Sequence, residues 1–219
     1  MEREQRETAG ISPGPEDGYL VDFDFDDGWL PLTLHEGTRA EARKMAADLV
    51  EQFNPLQLGV SKSVLREELE RLALTAFESG PVLTTVAYTE GGSLLADLSV
   101  FVYGEDDVVR PSPQEYLSRL VKWSYAEVKG EPQVSDVQLP LGPAVRVQAV
   151  LAEKRRLGWG KKLSEALRYG VWPNNQEEIL VVEARWLNFE RTDELTHLVD
   201  RLMPTMRLLP APDPTGGER

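Results

Sequence analysis

The sequence predicts an α+β protein in which helices flank an antiparallel β-sheet, forming an α/β/α sandwich. Several consecutive segments alternate apolar and polar residues across short turns, and segments with helical spacing bracket them. Strands joined by short turns pair in the antiparallel sense. With 219 residues, 41% of them hydrophobic and 28% charged, the chain can bury one core. We expect a single domain over residues 18–209, between a leader (1–17) and a tail (210–219) predicted to be disordered.

The first predicted element is a β-hairpin. Residues 19–25 alternate apolar and polar side chains, and a second apolar run covers 29–34. The Asp27-Gly28 pair between them favours a tight turn, because glycine adopts a positive φ without a steric clash. Pro31 has no backbone N–H, so the second strand is predicted to lie at a sheet edge.

Two amphipathic helices are predicted next. Thr38 and Glu41 match the capping-box pattern, and apolar residues follow at helical spacing as far as Phe53. The second helix is predicted over about 61–78, because Gly80-Pro81 is a helix stop signal. Its predicted inward residues are Leu65, Leu69, Leu72, Ala76 and Phe77.

The rest of the domain is predicted to contain six strands and two helices. The strands cover roughly 81–88, 93–103, 134–139, 143–153, 164–172 and 178–187. Ser112 and Glu115 indicate the start of a helix that runs towards Trp123. The closing helix begins near Thr192 and ends or kinks at Pro204. Its predicted buried stripe comprises Leu195, Leu198, Val199, Leu202 and Met206.

From about residue 81 to residue 209, this layout resembles the PsbP-like α/β/α sandwich, the fold shared with Ran-binding Mog-type proteins. The resemblance rests on the hairpin over 88–103, the strand that ends in Val181-Val-Glu-Ala-Arg-Trp186, and the closing helix over 194–202. It covers a little over half of the chain. The resemblance implies a binding or assembly factor rather than an enzyme.

Composition limits the compartment and the partners. The chain has no cysteine, its first residues are too polar for a secretory signal, and it has no apolar run long enough to span a membrane. We therefore expect a cytoplasmic protein that contacts no membrane. The net charge of −13 opposes binding to nucleic acid. The charge is uneven: residues 1–36 carry ten acidic side chains against two arginines, whereas residues 154–168 carry six basic side chains against Glu165.

That basic segment contains the predicted contact site for another protein with an acidic patch. The residues predicted to make the contact are Lys154, Arg155, Arg156, Trp159, Lys161 and Lys162. Arginine and tryptophan dominate the energetics of many interfaces. The glycines of this segment lack the Walker spacing, so no phosphate loop is predicted. Two alternatives are a solvated turn with Trp159 packed on the sheet, and a loop that docks on the acidic segment at 22–27.

No catalytic, cofactor or metal site is predicted. Asp22 and Asp24 alternate with apolar residues, which favours a solvated strand face over a calcium loop. His35 and His197 are the only histidines, too few for a three-histidine zinc site. Four tryptophans are predicted to anchor the core: Trp29, Trp123, Trp172 and Trp186.

Three functions are compatible with the sequence. The favoured one is a non-catalytic protein-interaction module, of the adaptor, chaperone or inhibitor type, that uses a sheet edge or the basic loop. The second is a domain that binds a small molecule or a lipid between the N-terminal helices and the sheet. The third is a hydrolase built on Asp97, Glu183 and Asp200, although nothing in the sequence brings these carboxylates together. The partner's identity and the oligomeric state are left open.

Overall fold

The computed structural model describes residues 19–104, 108–154 and 161–210. The predicted leader, and the predicted tail beyond Pro210, lie outside these ranges. The helices are α1 (Arg39–Val50), α2 (Lys62–Phe77), α3 (Pro113–Leu120) and α4 (Thr192–Leu202). The strands are β1 (Tyr19–Asp22), β2 (Trp29–Pro31), β3 (Leu83–Tyr88), β4 (Leu94–Tyr103), β5 (Glu127–Leu139), β6 (Gly142–Lys154), β7 (Lys161–Val171), β8 (Ile179–Trp186) and β9 (Arg207–Pro210).

Seven strands form one antiparallel sheet, which confirms the predicted α+β class. Their order is β2-β3-β4-β8-β7-β6-β5, and β1 pairs with β9 in a separate two-stranded ribbon. Pro31 lies in β2 at one edge of the sheet, as predicted. The other edge is β5, whose pairing with β6 is interrupted by an irregularity between Lys129 and Gln133.

The predicted hairpin over 19–34 is wrong. Tyr19–Asp22 pairs with Arg207–Pro210, and Trp29–Pro31 pairs with β3, so the Asp-Gly turn connects two different sheets. Arg207 explains part of this outcome, because its guanidinium forms ion pairs with both Asp22 and Asp24. These pairs link the first strand to the end of the chain, a long-range contact that the local turn pattern does not contain.

The predicted helix starts are confirmed. The side chains of Thr38, Ser61 and Ser112 each accept a hydrogen bond from a backbone N–H in the first turn of α1, α2 and α3. Glu115 completes a capping box in α3. Glu41 instead accepts hydrogen bonds from three backbone N–H groups that precede its helix, at residues 35–37.

The predicted inward positions are only partly correct. Leu195, Val199 and Leu202 of α4 are buried, whereas Leu198 is half-buried. Phe77 of α2, predicted inward, is exposed. Its ring lies over Gly37, where a Cβ atom would come within 2.1 Å of it. Because Gly37 has no Cβ, the Phe77 ring can pack against its backbone outside the core.

Helices pack on both faces of the large sheet. On one side, called the α4 face, α4 and the β1–β9 ribbon cover β4, β7 and β8. On the other side, called the α3 face, α3 packs against β6 and β7 through residues such as Leu120 and Val147. Farther along the same face, α1 and α2 cover Leu30 and Val86 near the β2 edge. Within the described ranges, no helix is long and apolar enough to cross a membrane.

Candidate interaction site

The two helical layers on the α3 face leave a partly exposed strip of sheet between them. On β4, Ala96, Leu98 and Val100 are buried in the α4-face core, so the alternating residues project into the strip. We call this surface the central strip and define it by Asp97, Ser99, Phe101, Tyr103, Tyr125, Glu153, Glu183 and Arg185. Strand alternation therefore places a row of polar and aromatic side chains on one open surface.

Glu183 of the central strip and Arg168 form the most enclosed ion pair of this face. The Nε atom of Arg168 donates to Glu183 Oε2 at 2.9 Å, and its Nη2 atom donates to the same oxygen. Its Nη1 atom donates to the carbonyls of Leu120 and Lys122 at the end of α3. The guanidinium lies 4.1 Å from the ring centroid of Trp123. The Nε1 atom of Trp123 donates to Glu183 Oε2 at 3.0 Å. Arg168 therefore connects the end of α3 to Glu183 on the sheet.

Arg185 is shared between two carboxylates. Its Nε atom donates to Asp97 Oδ2 at 3.3 Å, and its Nη1 atom donates to Glu153 Oε1 at 3.0 Å. The side chains of all three residues are between 25% and 31% exposed, so solvent reaches them. Among the described residues, one guanidinium thus forms ion pairs with two carboxylates in this part of the central strip.

The pKa shifts in the central strip follow from this charge distribution. Burial raises the pKa of the Asp97 carboxyl, an effect that Arg185 partly opposes. Burial and the neighbouring Glu183 carboxylate raise the pKa of the Tyr125 hydroxyl, which donates a hydrogen bond to Glu183. The Asp97 carboxylate in turn raises the pKa of Arg185. All three groups hold their protons more tightly than in water, mainly because of burial for Asp97 and Tyr125 and because of the Asp97 carboxylate for Arg185.

Aromatic side chains border the central strip. Tyr103 and Tyr125 are 40% and 46% exposed. The ring of Phe101 lies 6.3 Å from that of Tyr103, which lies 6.4 Å from the buried Tyr116. Tyr103 is thereby anchored on the buried Tyr116, so its exposed ring presents apolar surface in a fixed position.

Ser164 adds an unsatisfied hydroxyl to the same face. It is fully buried, and its Oγ atom has no hydrogen-bond partner in the described part of the chain. In the β6–β7 register, Ser164 is opposite Leu151, while Glu153 is opposite Lys162. Ser164 therefore lies diagonally next to Glu153 on the α3 face.

Most of the predicted basic contact site is outside the described residues. This applies to Arg155, Arg156 and Trp159, and for Lys154 only the backbone, at the end of β6, is described. Lys161 and Lys162 open β7 and are exposed. The Nζ atom of Lys161 forms an ion pair with Glu127. The loop contact with an acidic partner stays a prediction.

The acidic segment at 22–27 has partners within the chain. Arg207 pairs with Asp22 and Asp24, and Arg201 pairs with Asp26 at 3.1 Å. These residues border the ribbon rather than forming a hairpin. His35 and His197 are both exposed. In the ranges that the structure describes, no group of three His, Cys, Asp or Glu side chains could hold a metal ion.

The three carboxylates of the hydrolase hypothesis do not meet. Asp97 and Glu183 share the central strip, but Asp200 lies on the α4 face, where Arg146 and Tyr169 donate hydrogen bonds to it. The space proposed for a ligand beneath α1 and α2 is packed with buried side chains from both helices: Ala42, Ala46, Leu49, Leu65, Leu69 and Ala73. A shallow depression of about 330 Å³ lies instead at the outer edge, between β2 and α1.

Of the four predicted core tryptophans, Trp123, Trp172 and Trp186 are buried. Trp29 is half-buried.

Sequence reasoning missed the central strip. The signal was present in β4 and β8, where Asp97 and Ser99, and Glu183 and Arg185, alternate with buried apolar residues. Polar alternation in two strands that become neighbours predicts a shared polar surface. What the sequence did not show was that β4 pairs with β8, which follows β5, β6 and β7 in the chain.

Comparison with known proteins gives little further information. No family model matches the chain, and no curated protein matches it. Among solved structures, the chain is similar to LpqN of Mycobacterium tuberculosis, a protein described as involved in cell envelope biogenesis. The match has 12% sequence identity and a TM-score of 0.44, and covers 90% of this chain and 87% of LpqN. A likeness this low carries no argument about function.

Proposed function

We propose that this chain is a non-catalytic protein-interaction module, of the adaptor, chaperone or inhibitor type, which binds its partner through the central strip. The observation that carries the proposal is the open sheet surface between α3 and the α1–α2 pair, where ordered aromatic and arginine side chains are partly exposed. Tyrosine, tryptophan, phenylalanine and arginine are the residue types enriched in interfaces.

Rigidity supports an interaction role. Tyr125 is bonded to Glu183, and Arg185 is bonded to two carboxylates, so these side chains are already ordered before a partner arrives. Side chains that are ordered in the free protein lose less conformational entropy on binding. Such residues act as anchors when a complementary surface covers them.

The pairing of the carboxylates suits an ordered binding surface. Asp97, Glu153 and Glu183 each accept a hydrogen bond from an arginine. In the proposed module these carboxylates position arginines and contribute charge to the binding surface.

The PsbP-like family assignment belongs to the same proposal. The segments that carry the resemblance form β3 and β4, β8, and α4, which belong to a sheet that has helices on both faces. The fold shared with binding and assembly factors is consistent with the proposed role, although a shared fold is only an analogy. The cytoplasmic location expected from the sequence stays a prediction.

Site-specific photo-crosslinking tests the proposed function. A photoreactive phenylalanine analogue replaces Tyr103 in the central strip, and in a matched control it replaces Leu56, which is 93% exposed in the α1–α2 loop. We expect one protein from native lysate to crosslink at position 103 and not at position 56. With that protein purified, Phe101→Ala should weaken its binding several-fold. Equal crosslinking at both positions, or unchanged affinity, would contradict the proposal.

The predicted basic contact site requires a separate test, because Arg155, Arg156 and Trp159 are outside the described residues. If it contacts the partner, Arg155→Glu combined with Arg156→Glu should slow association in a salt-dependent way. Unchanged association rates would exclude the loop from the interface.

A further inference from the structure

We propose that the partner presents a basic segment to the central strip, and that one of its arginine or lysine side chains binds beside Asp97, Glu153 and Tyr125. This inference rests on the proposed function and specifies the chemistry of the partner. It does not involve the basic loop.

The first argument is local charge. Among the described residues, the ion pairs of Asp97, Glu153 and Glu183 are made by two guanidinium groups, those of Arg168 and Arg185. Arg168 makes four hydrogen bonds, two to Glu183 and two to the carbonyls of Leu120 and Lys122 at the end of α3, so its charge is engaged there. Arg185 divides its donors between Asp97 and Glu153. A cation from a partner would supply the charge that is missing at these two carboxylates.

The groups around Asp97 leave this charge only partly balanced. The carboxylates of Glu183 and Glu153 raise the pKa of Asp97 further, in addition to burial, whereas Arg185 lowers it. Lys162 is opposite Glu153 in the strand register, but it is exposed at the start of β7. A bound cation would favour the ionised form of Asp97 and relieve the mutual repulsion of these carboxylates.

The second argument is the aromatic border. The guanidinium of Arg185 lies 5.7 Å from the ring centroid of Tyr125, and that ring is still 46% exposed. A tyrosine face within about 6 Å of a guanidinium or ammonium group attracts it through the ring quadrupole. The exposed part of Tyr125 can therefore cover the alkyl stem or the charged head of a second basic side chain.

The third argument is the unsatisfied hydroxyl of Ser164. A buried polar atom without a partner is rare in folded proteins and indicates a missing hydrogen-bond partner. Ser164 is diagonal to Glu153 in the strand register, so it lies beside one of the two carboxylates of the proposed site. Arginine and lysine present only donors, which suits a site composed of carboxylate and hydroxyl oxygens.

The overall charge of the chain is consistent with such a partner. A net charge of −13 attracts basic proteins over long range and raises their association rate. Long-range attraction alone would not favour one surface of the molecule. The experiment must therefore separate binding at the central strip from diffuse attraction.

The test measures binding of a fluorescent nine-residue polyarginine peptide by anisotropy, at an ionic strength of about 0.15 M to screen diffuse attraction. Asp97→Asn combined with Glu153→Gln removes two charges from the central strip. The matched control, Asp48→Asn combined with Glu51→Gln, removes two charges near the end of α1. We expect the strip variant to weaken binding by about tenfold and the control by less than about twofold.

Two results would overturn the inference: equal loss in both variants, which indicates diffuse attraction, or no measurable binding by the unmodified protein. Circular dichroism checks that the strip variant is folded, and Glu153→Gln alone provides a milder second variant. The crosslinked partner separates this inference from the proposed function. If that partner crosslinks at position 103 but its affinity is unchanged in the strip variant, the interaction role stands and the basic partner is wrong.

Discussion

The two faces of the sheet carry polar networks of similar composition but different surroundings. On the α4 face, Arg146 and Tyr169 bond Asp200 of α4. Nearby, the side chain of Gln148 donates hydrogen bonds to the buried Glu165 of β7 and to Thr196 of α4. These bonds connect the sheet to a helix that covers it. On the α3 face, the network around Arg185 connects β4, β6 and β8 to one another, and no helix of the described chain covers it.

This difference distinguishes a network that stabilises the fold from one that is available to a binding partner. A polar network beneath a helix has its partners within the fold and contributes to stability. A network of similar groups that is open to solvent can still exchange water for a ligand. The enclosed Arg168–Glu183 pair lies between these cases, because it holds α3 in place at the margin of the central strip.

The largest effect is expected at that enclosed pair. Arg168→Met should lower the free energy of unfolding by about 3–5 kcal/mol, because it leaves the Glu183 carboxylate without its main partner in an enclosed site. Urea unfolding measures the change. Arg119→Met is the control, since Arg119 is exposed on α3. Similar losses in the two variants would show that the Arg168 pair is not structural.

The next largest effect is expected in α4 and measures how much its buried side chains contribute to the free energy of unfolding. Leu202→Ala should cost about 2–4 kcal/mol, because the side chain is buried and its removal leaves a cavity. Leu198→Ala should cost less, since Leu198 is only half-buried. The sequence pattern placed both residues in one buried stripe and so predicts equal losses of stability. Urea unfolding of both variants shows whether the losses are equal, as the pattern predicts, or unequal, as the structure predicts. A Leu198→Ala loss as large as that of Leu202→Ala would favour the pattern.

The same substitution on the two faces tests the comparison directly. Tyr169→Phe removes a buried hydroxyl that donates to Asp200 at 2.6 Å, and we expect a loss of about 1.5–3 kcal/mol. Tyr125→Phe removes a hydroxyl from an exposed residue, where water can replace it, and should cost less than about 1 kcal/mol. Thermal and urea unfolding measure both.

Partner affinity should show the opposite ranking. Tyr125→Phe is expected to weaken binding of the crosslinked partner, because it frees a side chain that is ordered in the proposed interface. Tyr169→Phe should leave that affinity unchanged. If Tyr125→Phe lowers stability more than Tyr169→Phe does, the α3-face network mainly stabilises the fold, which would contradict the proposed binding role of the central strip.

Local patterns predicted the elements because they act within a few residues. Ser112 and Glu115 cap α3 as their spacing indicates, and Pro31 marks an edge strand because it lacks a donor. The same reasoning failed for Asp27-Gly28, where the turn was predicted correctly but its flanking strands joined different sheets. A turn fixes the direction of the chain locally, whereas pairing depends on partners such as Arg207 that are distant in sequence.

The candidate site shows the same limit. Asp97 and Glu183 each appeared as an isolated carboxylate in the sequence, and only the pairing of β4 with β8 brings them onto one surface. Tyr125 joins them from the segment between α3 and β5, which has no periodic pattern. The charge of single segments could be predicted, but the combination of segments could not.

The smallest loss of stability is expected at Glu127, because its ion pairs are exposed to solvent. Glu127 pairs with Lys129 at 2.7 Å and with Lys161, and these lysines lower the pKa of its carboxyl from 4.5 to about 2. Because the folded-state pKa is depressed, the stabilisation is present above about pH 4.5. It is lost as the pH falls towards 2.

Glu127→Gln should therefore reduce stability slightly at about pH 6 and by less at about pH 3, since the unfolded chain already binds the proton at the lower pH. High salt should also shrink the difference, because the site is exposed. Glu131→Gln, on the same exposed strand, is the control for removing one negative charge. Urea unfolding of both variants at each pH measures the effect. A Glu127→Gln loss that grows as the pH falls would contradict the depressed pKa and the lysine pairing that explains it.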